Sequence, residues 1–170
     1  VYFYRDIDNA LDFDNNNYQY FNISQQKVHG IELETSYKPC TAVSITLNYT
    51  YLKPQEQVQS RESFNDTTYN YLLRRPKHQL NATVGWNITK AMYASINGRY
   101  VSDRYDVGGY LVPDVKMDAY FLLGAYAEYS LPKHLKLLAD LQNITNKKFV
   151  ETVGFNTIPF IIHSGITLSL

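Results

Sequence analysis

Histidines and carboxylates are the side chains of this chain that could hold a metal ion or move a proton. The four histidines are scattered over different predicted strands and strand ends: His29, His78, His134 and His163. Metal ligands have to converge on one point, so this spacing argues against a metal centre. The sequence therefore predicts no resident cofactor.

One polar run imitates the start of a calcium loop, with Asp12, Asp14 and Asn16 at alternate positions. An EF-hand needs Gly at its sixth position and Glu at its twelfth. This chain has Asn17 and Ile23 there, so the EF-hand interpretation fails. A looser calcium site in an outer loop and an ordinary solvated loop stay open as alternatives.

The densest basic stretch is Arg74, Arg75, Lys77 and His78. Basic and acidic residues number 16 each and the formal net charge is zero, which removes the usual electrostatic argument for nucleic acid. A contact with the membrane rim or with lipopolysaccharide and a solvated strand start are the two remaining interpretations. No Ser–His–acid spacing suggests a hydrolase, so no enzyme is predicted, and the single Cys40 cannot form an internal disulfide.

The elements that must position these side chains are β-strands, because two-residue alternation runs through the whole chain and no helical period appears. The clearest case puts Val43, Ile45, Leu47 and Tyr49 on one face, with polar residues between them. Eight strands in meander order are predicted, at about 1–7, 28–37, 43–52, 77–88, 92–100, 117–131, 135–142 and 160–170.

The predicted connections alternate in length. Short turns at 38–42, 89–91 and 132–134 alternate with long polar loops at 8–27, 53–75, 103–115 and 143–158. Short turns on one rim and long loops on the other are typical of a barrel in an outer membrane.

The charges of the central strands fall on one face. A Lys or Arg that faces lipid at mid-membrane costs about 2–4 kcal/mol, so the opposite, charge-free face is the one that can contact lipid. Outward aromatic residues cluster at the strand ends, as interfacial girdles do. The charges are Glu32, Glu34, Arg99, Asp118, Glu128, Lys136 and Asp140, and the aromatic residues are Tyr49, Tyr51, Tyr100 and Phe160 at one end and Tyr37, Trp86 and Tyr129 at the other.

A soluble β-sandwich also alternates, but it does not need long strands, one-sided loop lengths and aromatic strand ends together. The size of the barrel is open on pattern alone. Eight strands can close a small barrel filled by its own side chains, whereas an inner face rich in Ser, Thr, Asn and Gly suits a wide lumen equally well.

Four short motifs resemble segments of one known family. Residues 141–149, LQNITNKKF, resemble the signature that precedes the last loop and strand in the TonB-dependent outer-membrane receptors of the cobalamin or siderophore type. Gly154–Phe155 with Pro159, the stretch 73–78 (LRRPKH) and the stretch 29–34 (HGIELE) resemble three other family segments, in the same order. Two departures are Phe160–Ile161, where Gly-Arg is common, and Leu170, where a terminal aromatic residue is typical.

The resemblance implies an all-β fold, an antiparallel up-and-down transmembrane β-barrel in the Gram-negative outer membrane. Residues 1–170 would form about eight C-terminal strands of a barrel of about 22 strands, with the plug and its energy-coupling segment outside this sequence. The implied function is active uptake of a large scarce nutrient, a metal–siderophore or a corrinoid. The implied partners are outer-membrane lipid and lipopolysaccharide, the TonB complex through the plug, and the ligand, with no nucleic acid.

Ligand contacts in such receptors come from the long loops and the upper inner wall. Two other functions stay open: a complete eight-stranded barrel with an adhesive or structural role, and a barrel enzyme such as a lipase or protease. The ligand-contact candidates by position are Tyr69, Tyr71, Arg104, Tyr105, Tyr110, Phe155 and Asn156.

Overall fold

The computed structural model describes residues 1–14, 18–63, 65–109, 111–132 and 134–168. Within these ranges, no helix long and apolar enough to cross a membrane is present. The regular elements are β1 Tyr2–Asp14, β2 Gln19–Cys40, β3 Val43–Gln59, β4 Asp66–Tyr69, β5 His78–Asn87, β6 Met92–Val101, β7 Arg104–Asp106, β8 Val115–Met117, β9 Tyr120–Leu131, β10 Leu135–Gln142 and β11 Ile161–Leu168.

Nine strands form one antiparallel sheet. The strands β1, β2, β3, β5, β6, β9, β10 and β11 lie side by side in that order, and β4 pairs with the far end of β3. The short strands β7 and β8 form a separate hairpin. The predicted meander is confirmed, because every neighbour in the main path is also the next long strand along the chain.

The register confirms the predicted faces. Residues directly opposite each other in a ladder share a face, and Ile45 lies opposite Val84, which lies opposite Ile96. The same face continues through Ala125 to Leu141. One side of the sheet is therefore a continuous apolar surface, as a lipid-facing wall requires.

The opposite face is polar along the same ladders. Glu32 lies opposite Thr50, which lies opposite Gln79, while Lys136 donates to Glu128 at 3.1 Å. Six of the seven charges predicted on this face lie in its strands. The seventh, Asp118, lies between β8 and β9.

Three predicted loops contain strands, and this is the main correction. β1 and β2 continue on both sides of residues 15–17, so the predicted loop over 8–27 is an extended hairpin. β3 runs seven residues beyond its predicted end at 52 and pairs with β4 inside the predicted loop at 53–75. The predicted loop at 103–115 contains β7 and the first residue of β8, and these two strands pair as a hairpin. The short-turn rim is as predicted, and the predicted loop over 143–158 is confirmed as a connection over 143–160.

The strand extensions rise above the membrane-crossing part of the wall. A transmembrane strand needs about 9–11 residues, and β2 has 22. On its outward face the residues change from apolar Leu33 and Ile31 to His29 and Lys27. The outer boundary of the lipid-facing wall therefore lies near residue 30 of β2. Above it, Val28, Pro54 and Val58 are buried on the inner side.

The sheet is open within the described residues. β1 pairs with β2 and β11 pairs with β10, and no ladder joins β1 to β11. A closed eight-stranded ring would need that ladder. The chain has the shape of a section of barrel wall, which agrees with the larger of the two barrel sizes.

Candidate functional site

Three of the predicted ligand-contact residues form one aromatic stack above the membrane. Tyr69 ends β4, Tyr71 follows it, and Tyr105 lies in β7. The ring centroids of Tyr69 and Tyr71 are 5.2 Å apart, and those of Tyr71 and Tyr105 are 3.9 Å apart with nearly parallel planes. Pairing of β4 with β3 holds Tyr69 opposite Glu56, so the stack is attached to the barrel wall.

A buried ion cluster lies under this stack. The Arg61 guanidinium donates to Asp114 at 2.8 Å and to Glu56 at 2.9 Å, and it lies over the Tyr69 ring at 4.5 Å. The Tyr71 hydroxyl donates to the same Asp114 carboxylate at 2.9 Å. Burial and this hydrogen bond raise the pKa of Tyr71. Burial alone would lower the pKa of Arg61, but the two carboxylates outweigh it and raise that pKa.

A second buried carboxylate joins three segments of the outer region. The Asp106 side chain is 1 % exposed and accepts a hydrogen bond from Arg74 Nε at 2.6 Å. It also accepts from the backbone N–H groups of Val107 at 2.8 Å and Val153 at 2.7 Å. Burial by itself would raise the pKa of Asp106, yet these three donors hold that pKa below its ordinary value. We call this arrangement the Asp106 clasp.

Arg104 anchors the long connection 143–160 at a nearby point. The residue is 5 % exposed, and its guanidinium donates to the Val150 carbonyl at 2.7 Å and lies over the Tyr120 ring at 5.3 Å. The Tyr120 hydroxyl donates to Glu151 at 2.7 Å, and Arg99 pairs with the same carboxylate at 3.3 Å. The connection 143–160 is therefore held against the inner wall by charged and aromatic contacts.

Four arginines line one cavity of about 430 Å³ on the inner side of the wall. Its lining includes Thr50 and Gln79 from the polar face, which places the cavity in the lumen. Glu32 and Glu151 are the acidic residues of that lining, so positive charge is in excess there. The arginines are Arg74, Arg75, Arg99 and Arg104.

A second lumenal cavity, of about 460 Å³, lies under the long connection. Phe155 and Asn156 line it together with Phe149 from the same connection. Arg99 and Glu151 line both cavities, so the two spaces adjoin along one inner surface. An excess of guanidinium groups over carboxylates, together with amide groups and aromatic edges, suits a large, partly anionic molecule.

The predicted site residues thus divide into three groups. Tyr69, Tyr71 and Tyr105 come together in the stack, while Phe155 and Asn156 line the second cavity. Arg104 lines the first cavity, where it is largely buried and donates to the Val150 carbonyl. Tyr110 lies outside the described residues, and a ligand contact by any of the seven stays a prediction.

The predicted basic stretch is divided between the two faces of the wall. Arg74 and Arg75 line the lumenal cavity, whereas His78 lies opposite Tyr51 on the outward face. Sequence reasoning also missed Arg61 and Asp106. Asp114, which pairs with Arg61, and Arg74 and Val153, which donate to Asp106, are about 30 to 50 residues away in the chain.

The histidines do not converge. His163 lies 3.7 Å from Asp140 on the inner face, and His134 is in the turn before β10. Across the described ranges, no group of three or more His, Cys, Asp and Glu side chains is placed to hold a metal ion. The imitated calcium loop includes residues 15–17 and so lies outside the part of the chain that the structure describes.

Solved structures of several receptors have the same fold as this chain. The ferripyoverdine receptor of the Pseudomonas aeruginosa outer membrane matches with a TM-score of 0.74 and 16% identity, over 97% of this chain and 24% of that one. The ferric-catecholate import receptor Fiu of E. coli K12 matches with a TM-score of 0.68 and 17% identity, over 95% of this chain and 22% of that one. The siderophore receptor PiuA of Acinetobacter baumannii matches with a TM-score of 0.70 and 18% identity, over 88% of this chain and 22% of that one. The chain spans about a quarter of the length of these proteins.

A family model agrees with the fold and with the resemblance of the motifs. The model described as TonB dependent receptor-like, beta-barrel, matches residues 1–144, which is most of the chain. The matched residues include all the strands of the open sheet except the last. This chain belongs to the TonB-dependent receptor β-barrel family, whose members are outer-membrane proteins of Gram-negative bacteria.

Proposed function

We propose that this chain is a section of the wall of a receptor that takes up an anionic metal chelate of the siderophore type. The observation that carries the proposal is the lumenal cavity lined by four arginines against two carboxylates. Guanidinium groups bind carboxylate and catecholate oxygens through paired, charge-assisted hydrogen bonds. A corrinoid, the other ligand class expected from the resemblance, has a largely amide periphery and offers such groups fewer anionic oxygens.

Transport would use the TonB system through a plug domain outside residues 1–170. The wall would contribute ligand selection, with the tyrosine stack at the entrance and the arginines further in. Both lie on the side of the wall where the strands extend beyond the membrane. The outward face would contact outer-membrane lipid and lipopolysaccharide.

The test measures binding and uptake by the full-length receptor in outer membranes. The probes are radiolabelled ferric tricatecholate, ferric hydroxamate and ferric citrate complexes, with cyanocobalamin as the amide-rich comparison. Arg75→Gln and Arg99→Gln each remove one positive charge from the cavity, and we expect about tenfold weaker binding of the preferred ferric complex, the usual effect of one charge-assisted hydrogen bond. Lys90→Gln is the matched control, because Lys90 is exposed in the turn on the opposite rim.

Energy coupling is tested in the same cells by removing TonB. We expect uptake to stop while surface binding persists. The proposal is wrong if both arginine variants bind every ferric complex as the parent does, or if cyanocobalamin is the only probe taken up.

A further inference from the structure

Two side-chain clusters of the same geometry lie on the outward face of the wall. In the first, His29 is directly opposite Tyr4, with ring centroids 4.7 Å apart, and its Nδ1 shares a hydrogen bond of 2.8 Å with the hydroxyl of Tyr2. In the second, His78 is directly opposite Tyr51, with centroids 5.0 Å apart. There the Nδ1 atom shares a bond of 2.8 Å with the hydroxyl of Tyr49.

Each cluster therefore consists of a Tyr-x-Tyr pair on one strand and a histidine on the next. The distances from each imidazole to the ring of the tyrosine that shares its hydrogen bond also agree, at 6.3 Å for His29 and Tyr2 and 6.2 Å for His78 and Tyr49. Within the described residues, the hydrogen bonds of both imidazoles are to Nδ1. When a Tyr hydroxyl donates to Nδ1, the proton of the neutral ring is on Nε2, and that N–H remains available as a donor.

Lys53 lies between the two clusters. It is directly opposite His29 in the β2–β3 ladder and two residues beyond Tyr51, so it shares the outward face with both histidines. Adjacent strands lie about 4.8 Å apart, so Tyr4, His29 and Lys53 span about 10 Å. The Lys53 side chain is exposed, and no carboxylate of the described residues forms an ion pair with it. We call His29, Lys53 and His78 with their four tyrosines the outer rim cluster.

The outer rim cluster lies where the lipid-facing surface ends. Ile31 and Leu33 lie below His29 on the same strand, directly opposite Tyr51 and Tyr49 of the cluster. Asp6 and Lys27 lie above His29 as a facing pair of charges 3.9 Å apart. Asp6, the carboxylate nearest the cluster on this face, already accepts the Tyr4 hydroxyl at 2.7 Å. An unpaired ammonium and two imidazole donors are thus held at the depth of the lipid headgroups, inside a band of tyrosines.

We propose that the outer rim cluster binds the phosphate of a lipid headgroup in the outer leaflet, with Lys53 as the charge partner and the two imidazoles as hydrogen-bond donors. A phosphate oxygen accepts readily from an ammonium and from imidazole N–H groups, and the acyl chains of the same lipid then lie along the apolar face below. This inference deepens the proposed contact with outer-membrane lipid and rests on it. It is independent of the chelate that the receptor carries.

The test uses native mass spectrometry of the full-length receptor in detergent, without a chelate present. Diphosphoryl lipid A is compared with the same lipid after both phosphates have been removed. We expect the parent receptor to bind the phosphorylated lipid about tenfold more tightly, the scale of one charge-assisted contact. Lys53→Gln and the double variant His29→Gln with His78→Gln should each lose most of that preference, whereas Lys53→Arg should keep it.

Lys90→Gln again serves as the matched control and should bind as the parent does. Correct folding of each variant is checked by its heat-modified mobility on a gel. The proposal is overturned if the parent does not distinguish the two lipids, or if Lys53→Gln keeps the preference in a folded receptor. Either result would leave the cluster as an aromatic girdle only, and it would not affect uptake of the ferric complexes, which tests the lumenal proposal separately.

Discussion

Replacement of Asp106 by Asn tests the Asp106 clasp directly. The change keeps the shape of the side chain but removes its charge and replaces one acceptor oxygen by an NH₂ group. The native carboxylate accepts from three donors, namely Arg74 Nε and the backbone N–H groups of Val107 and Val153. An amide oxygen cannot serve all of them, so at least one buried donor is left without a partner.

The expected cost follows from burial. Removal of one partner from a fully buried ion pair costs about 3–5 kcal/mol. Arg74 is 54 % exposed, so its share is reduced by solvent, and an unpaired buried donor adds about 1–3 kcal/mol. We therefore expect the connection 143–160 to lose about 2–3 kcal/mol of docking free energy, which is roughly a 30- to 150-fold increase in its open population.

Hydrogen exchange of the full-length receptor measures this population at Val153 N–H. The matched control is Asp103→Asn. Asp103 pairs with Lys116 of the β7–β8 hairpin, which also contains Asp106, but both side chains of this pair are more than half exposed. An exposed pair contributes at most about 1 kcal/mol, so the control should change exchange less than about sixfold. Equal exchange in the two variants, or parent-like exchange in Asp106→Asn, would refute the reasoning.

The remaining predictions concern acid, the two faces and the buried ion cluster. The pKa of Asp106 is lowered from 3.8, so the clasp stabilises the connection fully above that pH and is lost as the pH falls below it. Hydrogen exchange at Val153, corrected for its intrinsic pH dependence, should therefore rise only below about pH 3.8. A rise near pH 5 would contradict this prediction. Ile96→Arg should destabilise the barrel by about 2–4 kcal/mol in urea titrations, while its neighbour Asn97→Arg on the polar face should have little effect. Arg61→Gln leaves the carboxylates of Glu56 and Asp114, 6 % and 2 % exposed, without their shared cation. This should lower the local stability by about 3–5 kcal/mol and make the chain around residues 60–71 sensitive to protease. Parent-like resistance to protease would argue against a structural role for Arg61.

The faces of the wall could be predicted because lipid on one side and water on the other require strict alternation. Ile45, Val84 and Ile96 lie on one apolar row, as their spacing indicated. Short turns were also predictable, since only a few residues separate Cys40 from Val43 or Asn87 from Met92. Where the environment differs between the faces, the pattern in the sequence reports it.

Above the membrane both faces of the wall contact water, so the strand extensions there could not be predicted from alternation. β2 from Gln19 to Lys27 and β3 from Lys53 to Gln59 are strands rich in polar residues, so their composition is that of a loop. Pro54 added to this impression, although it lies in β3 opposite Val28. Pairing with a neighbour, rather than hydrophobic alternation, keeps these segments extended.

The site was predictable in part for a related reason. Tyrosine and arginine types in long connections indicated Tyr69, Tyr71 and Tyr105, which the structure brings together. The clasp and the ion cluster depend on contacts such as Asp106 with Val153, 47 residues apart. Such long-range pairs leave no local pattern in a single sequence.

The order of the sheet has a consequence for how the wall is assembled. Every ladder of the main path joins long strands that follow each other in the chain, so the sheet can grow by one hairpin at a time without a distant strand having to arrive first. Closure of a flexible loop costs about (3/2)RT ln n, so the connection 143–160, of 18 residues, costs about 2 kcal/mol more than a two-residue turn. Contacts such as the clasp, made by that connection, offset this cost at the step where the last strand, β11, is added.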